Sequence, residues 1–137
     1  MNLRQFSRRM KFRAENLVQE TNRIVKQVAL VVDQTVVLAT PVDTGRARAN
    51  WLVSVDGPNN SEVDAVDPTG SSALAQGRSV ISGRTPGQSV YVTNNVDYIG
   101  FLNAGSSAQA PAGFVEEAVQ AGVVFAAQAQ IDTGKKK

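Results

Sequence analysis

The run LRQFSRRMKFRAENLVQETNRIVKQVALVVDQTVVLA, residues 3–39, followed by Thr40 and Pro41, decides how this chain folds. Seven-residue steps from Leu3 reach Met10, Leu17, Ile24, Val31 and Leu38, and four places after the first five come Ser7, Ala14, Thr21, Val28 and Thr35. That spacing gathers apolar side chains on one side of an α-helix. No glycine interrupts the stretch, and Pro41 ends it, because proline disfavours helical geometry in the residue before it. One amphipathic helix over about residues 2–39 is predicted, and at 1.5 Å per residue it is about 55 Å long. A chain of 137 residues makes too small a globule to cover that length. The companion positions are small or polar, which favours a helix packed on a sheet over part of its length, with its first turns projecting towards a neighbour.

Downstream, Trp51, Val53 and Val55 alternate with Leu52 and Ser54, and Val90-Tyr91-Val92 forms a second β-prone run. Residues 57–88 between them are rich in Gly, Pro, Ser and Asn. Asp67-Pro68-Thr69 supplies capping chemistry, Leu74, Val80 and Ile81 an apolar side, and Gly83 a stop, so a short helix is predicted at about 70–82. Tyr98 to Ala104 looks like one or two helical turns ended by Gly105. Pro111 then opens a last helix whose apolar face carries Phe114, Val115, Ala118, Val119, Gly122, Val123, Ala126 and Ala127. The expected fold is a single α+β domain: a long helix over 1–40, a turn and strand over 41–56, a long assembly loop with a short helix over 57–88, a strand and turn over 89–105, a loop and C-terminal helix over 106–132, and a basic tail over 133–137. Both terminal helices pack on a small antiparallel sheet.

Composition excludes much chemistry. The 137 residues contain no cysteine and no histidine, which removes disulfides, thiol nucleophiles, zinc–cysteine and imidazole metal sites, and the usual general base near neutral pH. Neither enzyme, cofactor nor metal is expected. The net charge of +2 conceals segregation: Arg4, Arg8, Arg9, Lys11 and Arg13 precede any acid, and Lys135, Lys136 and Lys137 close the chain. Residues 14–134 hold the other six cations against all twelve acids. Such ends suit nucleic-acid phosphate or an acidic protein surface, or form a solvated helix face and a tail. The richest apolar stretch, Val28 to Val42, is broken by Asp33, Gln34, Thr35 and Pro41, so no membrane span is expected. The N-terminus lacks the apolar core and cleavage site of a secretory leader.

Several motifs have dull readings. Asp43-Thr44-Gly45 is the triplet of aspartic proteases, which need two carboxylates sharing a proton, so one triplet would require a dimer. The following Arg46-Ala47-Arg48 would set two cations beside that dyad. The alternative is a turn in which Asp43 accepts local backbone N–H bonds and Gly45 takes a conformation closed to other residues. Glu116 and Glu117 point about 100° apart on a helix and read as its solvated start. The stretch Gly83-Arg84-Thr85-Pro86-Gly87 lacks a phosphate loop's lysine and reads as a turn. Trp51, Tyr91, Tyr98 and Phe101 read as core rather than as a platform for stacked bases.

Three segments in order, Pro41 to Trp51 (PVDTGRARANW), Val90 to Tyr98 (VYVTNNVDY) and Gly105 to Val115 (GSSAQAPAGFV), resemble the neck or tail-completion family of tailed bacteriophages. Asp97 stands where that family carries proline before the tyrosine. The resemblance implies a structural virion protein, assembled in the host cytoplasm as a ring of six copies at the head–tail junction or the top of the tail. Its partners would be itself, neighbouring neck and tail proteins, and DNA passing through the channel without sequence-specific binding. Terminator, neck or head-closure, and minor capsid roles all stay open. On this reading Asp43, Thr44 and Gly45 fix the first turn, and Asn94, Asn95 and Tyr98 the second. Arg4, Arg8, Arg9, Lys11, Arg13, Arg46, Arg48 and Arg84 are available at a subunit boundary, and residues 57–88 join them as an assembly surface. An acidic body suits a channel through which DNA slides. The competing readings are a nucleic-acid-binding module with a basic arm and a dimeric aspartic protease.

Overall fold

The computed structural model describes residues 1–130; the expected lysine tail lies outside them. Helix α1 runs Leu3–Ala39 and is closed at its start by reciprocal capping. The Asn2 side chain accepts from the Gln5 N–H at 2.9 Å, and the Gln5 side chain accepts from the Asn2 N–H at 3.0 Å. It ends where Thr40, ahead of Pro41, turns extended. There follow α2 (Arg46–Ala49), β1 (Leu52–Val55), α3 (Ser71–Ser82), β2 (Val90–Thr93), α4 (Ile99–Asn103) and α5 (Phe114–Gln128). The strands pair antiparallel, Leu52 opposite Thr93 and Val55 opposite Val90. The fold is α+β, with a long N-terminal helix, a C-terminal helix and a two-stranded sheet.

Helices α3 and α5 both lie antiparallel along the C-terminal half of α1. Gly70 meets Val37, Gly77 meets Asp33, and Lys26 Nζ donates to the Ser82 carbonyl at 2.9 Å. Similarly Phe114 joins Val36 and Val37 in the core, Gly122 faces Val32 and Val28, and Arg23 donates to the Gln130 carbonyl at 3.4 Å. Two apolar clusters result: Val36, Val37, Trp51, Ala73, Ala110, Phe114 and Ala118 in one, Ala29, Val53 and Ile81 in the other. Gly77 and Gly122 allow these close approaches. A Cβ at Gly122 would stand 2.5 Å from Val32 Cγ2.

Three expectations need correction. The buried face of α1 is Ala29, Asp33, Val36 and Val37, whereas Leu3, Met10, Leu17 and Leu38 of the seven-residue series are exposed. Leu3 and Met10 lie where α1 reaches beyond the domain and every face is exposed, and a drift of about 20° per heptad against a strict seven-residue repeat turns Leu38, five heptads on, away from the buried face. The turn after Pro41 contains the short helix α2. The last helix starts at Phe114 rather than at Pro111, because Gly113 (φ 85°) supplies the left-handed entry. The short helix expected at about 70–82 is present as α3, which buries Ala73, Gly77 and Ile81 against α1 and β1.

Candidate functional site

The three quoted segments, distant in sequence, meet at the end of α1. Gly45 takes φ 93°, and a Cβ there would lie 2.6 Å from the Asp67 carbonyl carbon and 2.8 Å from Pro68 Cδ. Only glycine satisfies both demands. The Gly45 carbonyl accepts from the N–H groups of Ala49 (3.0 Å) and Asp67 (3.2 Å), tying the turn to the segment that starts α3. Thr44 Oγ1, not Asp43 as expected, accepts the local N–H, from Arg46 at 3.3 Å; Asp43 is exposed.

Side-chain amides draw the remaining segments in. Gln109 accepts from the Val42 N–H at 2.9 Å and donates to its carbonyl at 2.7 Å, copying a strand pairing. Asn94 donates to the Ala47 carbonyl at 2.8 Å and accepts from the Val96 N–H at 3.1 Å. Asn95 donates to the carbonyls of Asn59 (2.8 Å) and Ser61 (3.0 Å). Asn50, fully buried, donates to the carbonyls of Arg46 and Val63 and accepts from the Val63 N–H. Asn103 accepts from the Val115 N–H at 3.0 Å and donates to both Glu116 oxygens, which holds the Glu116 carboxyl below its ordinary range. The result is an open cleft of about 250 Å³ between the Pro41–Ala47 turn and α4, with Asp43, Thr44, Arg46, Tyr98, Leu102 and Ser106 along it.

The expected boundary cations divide into three groups. Arg4, Arg8, Arg9, Lys11 and Arg13 are exposed on the first turns of α1 and form no ion pair among the described residues. Arg46 pairs with Glu62, and with Asp64 at 3.6 Å, pinning the 57–66 segment. Arg48 and Arg84 are corrections, since both turn inward. Arg48 donates to the carbonyls of Leu38 (3.0 Å), Thr40 (2.8 Å) and Pro68 (2.8 Å), closing the C-terminus of α1 with a cation. Arg84 is buried and donates to the Gln88 carbonyl at 2.9 Å and to Asn22. Of the aromatics expected in the core only Trp51 is there, its Nε1 donating to Thr40 Oγ1 at 2.7 Å; Tyr91, Tyr98 and Phe101 are exposed. The adjacent helix start behaves as expected, Asp67 accepting from the Ser72 N–H at 2.7 Å, which drives its carboxyl well below the usual range.

Asp33 is the residue that sequence reasoning missed. It is 1% exposed, and both carboxylate oxygens lack a hydrogen-bond partner among the described residues. Burial pushes its pKa up from 3.8 to about 7, with Arg78 pulling the other way. The available signal was an acid on the helical face of Ala29, Val36 and Val37, inside the most apolar stretch of the chain. Among the described residues no cluster of three or more acidic side chains is placed to hold a metal ion, and no helix is long and apolar enough to cross a membrane. Compared with protein-family models, curated proteins and solved structures, the chain gave no match.

Proposed function

We propose that this chain is a structural, non-catalytic virion protein of a tailed bacteriophage. It assembles as a ring of six copies at the head–tail junction or the top of the tail, joins head to tail and bounds the DNA channel. The observation that carries this reading is the convergence of the Pro41–Trp51, Val90–Tyr98 and Gly105–Val115 segments at the end of α1, where Gln109 joins the third to Val42, Asn94 joins the second to Ala47, and Tyr98 and Ser106 share one cleft with the first. The order that makes these segments resemble the neck and tail-completion family has a physical counterpart, since together they anchor the base of a helix that outruns its own domain. Rings need heterologous contacts that close, and a projecting helix reaches a neighbour. The test is electron microscopy of lysates from a phage with an early stop codon in this gene. Full heads beside separate tails, or overlong tails, are expected; normal infectious particles would overturn the reading.

The five exposed cations in the first turns of α1, which form no ion pair among the described residues, favour one second reading, a module that binds nucleic acid through its basic arm. Its mark is affinity for duplex DNA that falls steeply with salt, by about one power of salt concentration per phosphate contact.

A further inference from the structure

The first four turns of α1 are built like one half of an interface. Residues 1–15 are exposed on every side, so α1 extends as a bare rod of about 20 Å before reaching the domain. Yet Leu3, Phe6, Met10, Ala14 and Leu17 fall within an arc of about 80° on it. Leu3 is 82% and Phe6 52% exposed. Apolar side chains lined up this way on a bare helix need cover. No glycine or proline lies between Met1 and Thr40, so the arm cannot fold back onto its own domain without breaking α1.

The same chain carries a matching surface. Helix α5 buries Phe114, Ala118 and Gly122, and it turns Val119, Val123 and Ala126 outward within an arc of about 60°. Val119 is 52% and Val123 54% exposed. Charge selects the pairing. The arm carries five cations and no acid over residues 1–13, whereas residues 85–130 carry Asp97, Glu116 and Glu117 and no Lys or Arg. Two arms side by side would bring ten cations together, with Arg9 and Arg13 flanking the apolar stripe. An arm laid along Val119 and Val123 sets those cations towards Glu116 instead, which stands about 20° from Val123 round α5.

We propose that the arm of one copy lies along α5 of a second copy, its Leu3–Phe6–Met10–Leu17 stripe against Val119 and Val123 and its cations towards Glu116. The inference rests on the ring reading and names the contact that would link neighbours in it. Because the chain has no cysteine, any cross-link between engineered thiols is specific to them. Met10→Cys, and separately Val119→Cys and Val123→Cys, are made in the full chain, purified, and oxidised alone and in mixtures, with the oligomeric state followed by light scattering. Expected is a covalent dimer in the Met10→Cys mixture with Val119→Cys or Val123→Cys, at least about tenfold above any single protein and lost by about tenfold on adding Phe6→Ser.

Cross-linking of Met10→Cys to itself as the dominant product would show arm-on-arm pairing and overturn the proposal. An oligomer on light scattering without arm–α5 cross-links would overturn it while leaving the ring standing. A monomer at every concentration would overturn it too, and the stop-codon phage then decides the ring reading separately. Retention on random-sequence duplex DNA, abolished by Arg8→Glu with Arg9→Glu and unaccompanied by a cross-link, would assign the arm to nucleic acid.

Discussion

Asp33 makes stability depend on pH in the opposite sense to an ordinary paired carboxylate, and replacing it with asparagine isolates the effect. Its carboxyl is enclosed by α1, α3 and β1, with Gly77 facing it and Val53 close by, and burial lifts its pKa from 3.8 to about 7. Unfolded, the group ionises near its ordinary value. Between the two values the unfolded chain therefore binds fewer protons than the folded one, and stability falls as pH rises. The stability is fully present below the ordinary value, declines through the window, and levels off once the folded group has also ionised. About three pKa units correspond to about 4 kcal/mol in all, of which about 3 kcal/mol falls between about pH 4.5 and pH 8. Asp33→Asn removes the titration and leaves a neutral buried amide, which itself costs about 1–3 kcal/mol at every pH. The assay is urea unfolding at fixed protein concentration at about pH 4.5, 6 and 8, followed by Trp51 fluorescence and far-ultraviolet circular dichroism. Relative to the variant, the parent midpoint should fall by roughly 1–2 M urea across the range. Other carboxylates, including Asp67 and Glu116, titrate alike in both proteins and cancel. Profiles that stay parallel within about 0.5 kcal/mol would refute the reasoning.

Three further outcomes follow from the packing. Gly77→Ala drives a methyl group onto the Asp33 carboxylate and to 3.2 Å from Val53 Cγ2, so a loss of about 1–3 kcal/mol is expected despite the better helix propensity. Thermal unfolding of Gly77→Ala combined with Asp33→Ala should show a loss smaller than the sum of the two, and strict additivity would count against the contact. Thr40→Val keeps the shape but strips the Trp51 indole N–H of its acceptor, for a loss of about 1–3 kcal/mol in urea with altered Trp51 fluorescence; an unchanged midpoint would refute the role of this bond. Arg48→Lys keeps the charge but cannot fork to three carbonyls, so about 1–2 kcal/mol should be lost and amide exchange near Leu38–Thr40 should quicken; wild-type exchange would refute the capping role.

Much of the local structure was legible because its causes are local. Pro41 ends α1 by acting on the residue before it, Asp67 caps α3 through neighbouring N–H groups, and the two strands announce themselves by β-prone runs. Gly45 was legible as a turn glycine, while the Pro68 backbone packed against it was not. The candidate site was legible as three segments whose meeting point was not. Gln109 joins Val42 across 67 positions, and Asn94 joins Ala47 across 47, with no spacing rule to foretell either.

The sequence by itself determined where the long first helix, the short helix after Asp67 and the two strands lie, that the first helix is longer than its domain, and that charge is divided between a basic arm and an acidic remainder. Periodicity, caps and proline act over a turn or two, so they can be read along the chain. Only the tertiary structure decided which face of α1 is buried, that Asp33 is enclosed opposite Gly77, that Arg48 and Arg84 turn inward, and that Val119 and Val123 face out. Burial is a property of a residue and the elements packed against it, and those elements come from distant parts of the chain.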